Sequence, residues 1–160
     1  MRKATIFFPM EDISEYIHCI FEGEKSLILK SLPHADIQHV GGTSISGSIT
    51  KKELDIQIRV EPGKFEETIL FFKKSSHKPH HKELWTETFF IMTGEINRIP
   101  IDYIITVINS KEDHYFKSRD YLRNNKEALN KYNNLKLLYA GKPYNDYRKA
   151  KQKFFCEMEK

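Results

Sequence analysis

No apolar run in this 160-residue chain approaches the roughly 20 residues needed to cross a bilayer. The brief patch Ile6-Phe7-Phe8 is shorter than the roughly 7–15 residues of a signal-peptide core. A cytoplasmic protein without membrane contact is therefore the expectation. Cysteine is scarce. Cys19 and Cys156 lie near opposite ends, each within an amphipathic helical pattern, and read as reduced thiols in or near the core rather than a disulfide. No G-x-x-x-x-G-K-S/T occurs, which removes support for P-loop chemistry. Ser44, Ser46 and Ser48 have no G-x-S-x-G or Ser-His-Asp context, which argues against a hydrolase nucleophile. Charge of one sign is also lacking: 26 Lys and Arg face 22 Asp and Glu, a net +4 that suits an anionic ligand without establishing nucleic-acid binding. There is no internal repeat.

What is present is enough for one core. Hydrophobic residues make up 39% and charged residues 30%, with eleven Phe and eight Tyr for bulk. One domain over 1–160 is expected, with an α+β core at 1–108 and a helical extension at 109–160.

Apolar residues from Ile13 to Ile28 recur at helical spacing, giving a helix of about 12–32 with Asp12 and Glu15 as a capping box. Asp36–Val40 reads as a strand entering a glycine turn. Leu54, Ile56, Ile58 and Val60 alternate with Asp55, Gln57 and Arg59, a strand with two unlike faces. A helix over 65–74 follows, then a loop over 75–82. Alternating threonines and aromatics predict a strand over 85–92, with the hairpin connection at 93–97 around Gly94. Another strand covers 99–108. Helices are expected at about 111–124, 126–140 and 143–159. The sum is an α+β fold: a small mixed sheet, helices on one side, and a C-terminal helical extension.

The chemistry concentrates around Gly41-Gly42-Thr43-Ser44 and Glu53-Leu54-Asp55. Residues i and i+2 of a strand face the same way, so Glu53 and Asp55 point at one place. Paired carboxylates repel unless a cation lies between them, and a hard divalent ion such as Mg²⁺ (or Mn²⁺) fits that role. The turn offers backbone N–H groups to phosphate. Asp102 shares its strand face with Ile104 and Thr106. It is either an edge-strand acid in water or a third ligand brought beside Glu53 and Asp55. Together these residues point to a metal–triphosphate site.

His39-Val40-Gly41-Gly42-Thr43-Ser44-Ile45-Ser46-Gly47 resembles the signature of the GrpB family, which has Pro where this chain has Ser46. Phe116 to Arg123, with Leu135-Lys136 and Tyr147 to Phe155, resembles the helical segments that follow it. That family belongs to the nucleotidyltransferase-fold superfamily. The superfamily pattern is Gly-Gly or Gly-Ser, then two acids at i and i+2, then a third acid on a later strand. Gly41-Gly42, Glu53 with Asp55, and Asp102 match it. The chain keeps both acids of the first pair, where many GrpB-like sequences keep one. The resemblance implies a nucleotidyltransferase-like fold and transfer of a nucleotidyl group from a nucleoside triphosphate to an unidentified acceptor. Glu53, Asp55 and Asp102 would be catalytic metal ligands. Gly41, Gly42, Thr43 and Ser44 would hold phosphate, and Arg119 and Lys151, in the family-like segments, would reach the triphosphate.

Two alternatives stand beside this reading: an inactive module that binds a nucleotide or phosphorylated metabolite, and an antitoxin-like or RNA-end-modifying protein. The His77, His80 and His81 cluster reads as a solvated basic loop rather than a zinc site. His39 either packs in the core or orients the turn. Lysines over 73–82 and 142–153 read as solvated faces. Tyr144, Tyr147, Phe154, Phe155 and Met158 read as a packing stripe.

Overall fold

The computed structural model of the chain describes residues 4–158, and the two hydrophobic periods become strands and helices within them. In chain order the strands are β1 (Phe8–Pro9), β2 (Asp36–Val40), β3 (Ile49–Thr50), β4 (Leu54–Val60), β5 (Lys78–Pro79), β6 (Phe89–Ile96) and β7 (Ile99–Val107). The α-helices are α1 (Ser14–Ser31), α2 (Phe65–Lys74), α3 (Tyr115–Asn124), α4 (Lys126–Tyr139) and α5 (Tyr144–Met158). Five strands form a mixed sheet in the order β2-β4-β7-β6-β5, with β4 and β7 parallel; β1 and β3 pair separately. This is the expected α+β class with its small mixed sheet. Among the described residues no helix is long and apolar enough to cross a membrane.

The alternation in β4 sets the layers. Leu54, Ile56, Ile58 and Val60 are fully buried against Ile17, Ile20, Phe21 and Ile28 of α1 and Phe72 of α2. Burying such side chains stabilises the fold by about 1.5–3 kcal/mol each before entropy is counted. The opposite face meets the helical extension. Tyr115 and Phe116 pack on Val40, Phe89, Ile91 and Ile104, while Gln57 Oε1 accepts the Phe116 N–H at 3.0 Å.

Five local expectations change. The α1 capping box does not form: the helix begins at Ser14, Ile13 is its cap, and no side chain caps it. Asp12 lies instead in a 3-10 turn, Met10–Asp12, that tertiary contacts hold. Met10 N–H donates to Ser48 O at 2.9 Å, and Glu11 Oε1 accepts the Gly47 N–H at 2.7 Å. Cys19 and Cys156 are exposed, not in the core, because each falls on the outward side of its helix.

The strand expected at 85–92 lies four residues later. Trp85 Nε1 donates to His80 O at 2.9 Å and Thr88 Oγ1 to Glu112 Oε2 at 2.6 Å, so this stretch is a tethered loop. The hairpin turns at Asn97 and Arg98, both at positive φ (49° and 67°), as a two-residue turn matched to right-handed strand twist requires. Gly94 stays inside β6, where a Cβ would come within 3.1 Å of His77. Finally, α3 starts at Tyr115 rather than 111, because Asp113 is drawn down to Arg59.

Candidate functional site

Sheet register brings the carboxylates together. Asp55 and Asp102 stand directly opposite each other on the parallel strands β4 and β7, and Val40, the last residue of β2, pairs with Asp55 from the other side. The glycine turn therefore begins beside Asp55. Gly41 has φ 75° and ψ −172°, a region open essentially to glycine alone. A Cβ there would also run into Asp55 Oδ2. Gly41→Ala is expected to cost about 1–3 kcal/mol, read as a lower urea midpoint; an unchanged midpoint would show that the turn relaxes freely.

The hydroxyls expected to hold phosphate work inside the turn. Ser44 Oγ donates to Gly41 O, and Thr43 Oγ1 bonds His39 Nε2 at 2.9 Å. His39 stacks on Phe21 and is held down to about 4, first by burial and then by Arg123, Arg119 and His18. It is neutral, and it both packs and orients the turn. Arg123 donates twice to Ser44 O, at 2.9 and 2.6 Å. Arg119 braces the end of β2 through Gln38 Oε1 and His39 O at 2.8 and 2.9 Å, and it pairs with Asp120. Its Nε and Nη1 are thus engaged with protein. The turn's remaining donors are main-chain: among the described residues nothing accepts from the Gly42 or Thr43 N–H.

Burial raises Asp55 to about 7, with Asp102 and Glu53 adding to the rise and Lys151 and Lys51 opposing it. Asp102 is raised too, first by burial; Glu53 adds to this, and His80, a bond from Thr93 and His81 oppose it. Two neighbouring acids that resist ionisation fit a hard divalent cation, which would replace the missing positive charge. Glu53 is turned to Lys51, 3.1 Å away. Accordingly, among the described residues no three His, Cys, Asp or Glu side chains gather closely enough to hold one metal ion. Asp55 and Asp102 would have to hold such an ion as a pair, and Glu53 would join only by leaving Lys51.

Three lysines, two of them missed by the sequence reading, complete the site. Lys136 is 2% exposed, donates to Ile49 O at 2.6 Å and lies 4.1 Å from the Tyr132 ring centre. Burial lowers it to about 7, Lys151 and Lys51 lower it further, and Asp55 opposes them. Its Nζ is 3.4 Å from where a Gly42 Cβ would stand. Lys151, which the sequence reading also named, is exposed. Burial works against its charge, but Tyr147, Asp55, Tyr144 and Tyr115 outweigh it and the pKa is raised. Lys51 behaves likewise: burial opposes its charge, and Glu53 and Tyr144 prevail. Its Nζ is 4.4 Å from the Tyr144 ring. Tyr144 is 39% exposed, so this part of the expected packing stripe belongs to the site.

A cavity of about 490 Å³ opens over Glu53 and Asp102, lined also by Phe8, Lys51, His80 and Tyr144; Asp55 is not part of its lining. His80 Nε2 is 3.9 Å from Asp102 Oδ2, and His81 pairs with Glu83. His77 is elsewhere, packed between Phe72 and Tyr103, so the three histidines do not act as one cluster. The signal for Lys136 lay in the family-like Leu135-Lys136 pair. What marks it, burial on the turn-facing side of α4, is invisible in sequence.

Comparison with known proteins places these features in context. A family model described as GrpB protein matches residues 11–160. A UPF0157 protein of Vibrio cholerae serotype O1 is 26% identical over 148 residues, spanning 92% of this chain and 78% of that protein. The crystal structure of the conserved protein GrpB from Enterococcus faecalis superposes with a TM-score of 0.60 at 20% identity, over 74% of each chain. Cid1, a protein with RNA terminal uridylyl transferase activity, gives a TM-score of 0.46 at 11% identity, over 70% of this chain and 37% of its own.

Proposed function

From the premise that the chain belongs to the GrpB family, we propose that it is a nucleotidyltransferase moving a nucleoside monophosphate from a triphosphate to an acceptor hydroxyl. The observation that carries this reading is the directly opposed pair Asp55 and Asp102 beside the Gly41–Ser44 turn. Asp55 and Asp102, joined by Glu53, would hold Mg²⁺ (or Mn²⁺). When bound, the ion supplies charge for the triphosphate and lowers the pKa of the attacking hydroxyl.

The chain's own residues do the rest. The Gly42 and Thr43 amides and the ammonium groups of Lys51 and Lys151 bind the phosphates and hold the pyrophosphate leaving group, while buried Lys136 supports the turn through Ile49 O. The acceptor oxygen bonds to the α-phosphorus as the bond to pyrophosphate breaks. Asp102, facing the cavity, assists loss of the hydroxyl proton. His39 and Arg123 keep the turn in place.

Titrating ATP, CTP, GTP and UTP calorimetrically, with and without Mg²⁺, tests this reading. At least one is expected to bind only with Mg²⁺, and Lys151→Met is expected to weaken it by about tenfold or more. A folded protein that binds none of the four would overturn the assignment. A second reading has one observation in its favour, the engagement of Glu53 with Lys51. In it the same site binds a nucleotide or phosphorylated metabolite without chemistry. Saturable binding with no pyrophosphate released in any acceptor screen would select it.

A further inference from the structure

The larger cavity is not the one over the carboxylates. About 710 Å³ opens where α1, the end of α2 and the β6–β7 hairpin meet, on the sheet face opposite Asp55 and Asp102. Thr93 and Pro100 line both cavities, so they share a rim. The walls of the second are largely apolar: Leu27 remains 57% exposed there, and Phe71, His77 and Tyr103 contribute rings.

Glu24 is its chemical centre. It is half-buried, and it forms no ion pair among the described residues. Its Oε2 accepts the Tyr103 hydroxyl at 2.6 Å, a bond that fixes the carboxylate against the wall, and among the described residues no side chain donates to Oε1. The neighbouring imidazole makes no ion pair with it. His77 is held down by burial, which outweighs the opposing pull of Glu24, and its Nδ1 is engaged with Ser75 Oγ. Glu95 adds a second carboxylate on the lining and Lys78 a single ammonium, so the formal balance is negative. A carboxylate among rings and aliphatic walls is chemically suited to an organic ammonium ion. The acid supplies the counter-charge, the rings supply cation–π attraction, and the apolar walls take the attached hydrocarbon.

We propose that this second cavity binds a primary amine carried on an apolar or aromatic body, with Glu24 as its counter-ion. The site does not depend on nucleotidyl transfer. If transfer does occur at the carboxylates, the shared rim makes the cavity the place where an amine-bearing acceptor or effector would rest.

The test uses the whole protein without nucleotide and three matched probes: tryptamine (cationic), tryptophol (neutral) and indoleacetate (anionic). Tryptamine is expected to bind at least about tenfold more tightly than tryptophol, with indoleacetate weakest, and to shift the amide resonances of Glu24, Phe71 and Gly94. Glu24→Gln should erase the preference for tryptamine over tryptophol. Phe71→Leu should weaken tryptamine while leaving Glu24 in place, a check that stands if the first variant misfolds. Equal binding of the three probes, no binding of tryptamine at millimolar concentration, or shifts confined to the Asp55–Asp102 side would each overturn the proposal. Repeating the titration in Asp55→Asn, where binding should persist, separates this site from the proposed transfer reaction.

Discussion

Asp55→Asn is expected to leave the fold intact and to abolish Mg²⁺-dependent transfer. The substitution preserves shape but removes the charge that would anchor the ion between Asp55 and Asp102. Losing metal stabilisation of the transition state is worth about 4 kcal/mol or more, roughly a thousandfold in rate. Full activity in this variant, measured as pyrophosphate release, would remove Asp55 from the mechanism.

The same variant carries an opposite prediction for stability. Asp55 is raised in the folded protein to about 7 from an ordinary value near 3.8. Between these values the folded state holds a proton that the unfolded state has lost, so stability falls as pH rises through the window. Below about pH 4 both states are protonated and the variant should match the wild type. Above about 7 the wild type carries an unfavourable buried charge, and Asp55→Asn should be the more stable. Mg²⁺ should raise the melting temperature of the wild type at pH 8 and leave the variant unmoved. Melting curves from pH 4 to 8, with and without Mg²⁺, read both arms. A wild type more stable than Asp55→Asn at pH 8 without metal would contradict the burial argument.

Asp113→Ala is expected to be the most destabilising single change away from the site. Asp113 is 3% exposed. Its Oδ1 accepts from Arg59 Nε at 2.7 Å and Gln57 Nε2 at 3.1 Å, and its Oδ2 accepts from Arg59 Nη2 at 2.8 Å and Asn109 N at 2.9 Å. Truncation strands Arg59 Nε and Nη2 and the Asn109 amide under α3, and leaves Gln57 Nε2 with Thr106 Oγ1 alone. Removing one partner of such a pair costs about 3–5 kcal/mol, roughly 10 °C in Tm for a domain of this size. Burial works to raise Asp113, but the bond from Arg59, the Asn109 amide and the Arg59 charge prevail, and its pKa is lowered. Its contribution is therefore present above the unfolded value of about 3.9 and is lost as pH falls through the folded value. Asp113→Asn should lose stability at pH 7 and converge on the wild type in acid. A Tm within a degree or two of the wild type for Asp113→Ala would show that Arg59 finds an equivalent partner.

The parts legible in the sequence were those that local physics decides. Period-two alternation fixed β4 and its two faces, because a side chain's face follows from backbone geometry alone. The Gly41-Gly42 pair announced a turn that only glycine can make, and helical spacing marked α1, α2 and the three C-terminal helices. The same local rules misplaced β6. Thr86 and Thr88 carry β-propensity, yet their hydroxyls bond Glu112, a residue far along the chain. They likewise placed Asp12 as a helix cap, although Ser48 and Gly47 hold that turn from a distance.

By itself the sequence determined the α+β class, the glycine turn, and Asp55 on the polar face of β4, although Glu53 lies just before that strand. Tertiary structure alone decided that Asp102 stands opposite Asp55, that Glu53 turns to Lys51, and that Arg119 braces β2 while Lys136 meets the turn. The physical reason is reach. Backbone periodicity is set within a few residues. The charge felt by a buried group is set by whichever side chains the sheet register and helix packing bring within a few ångströms.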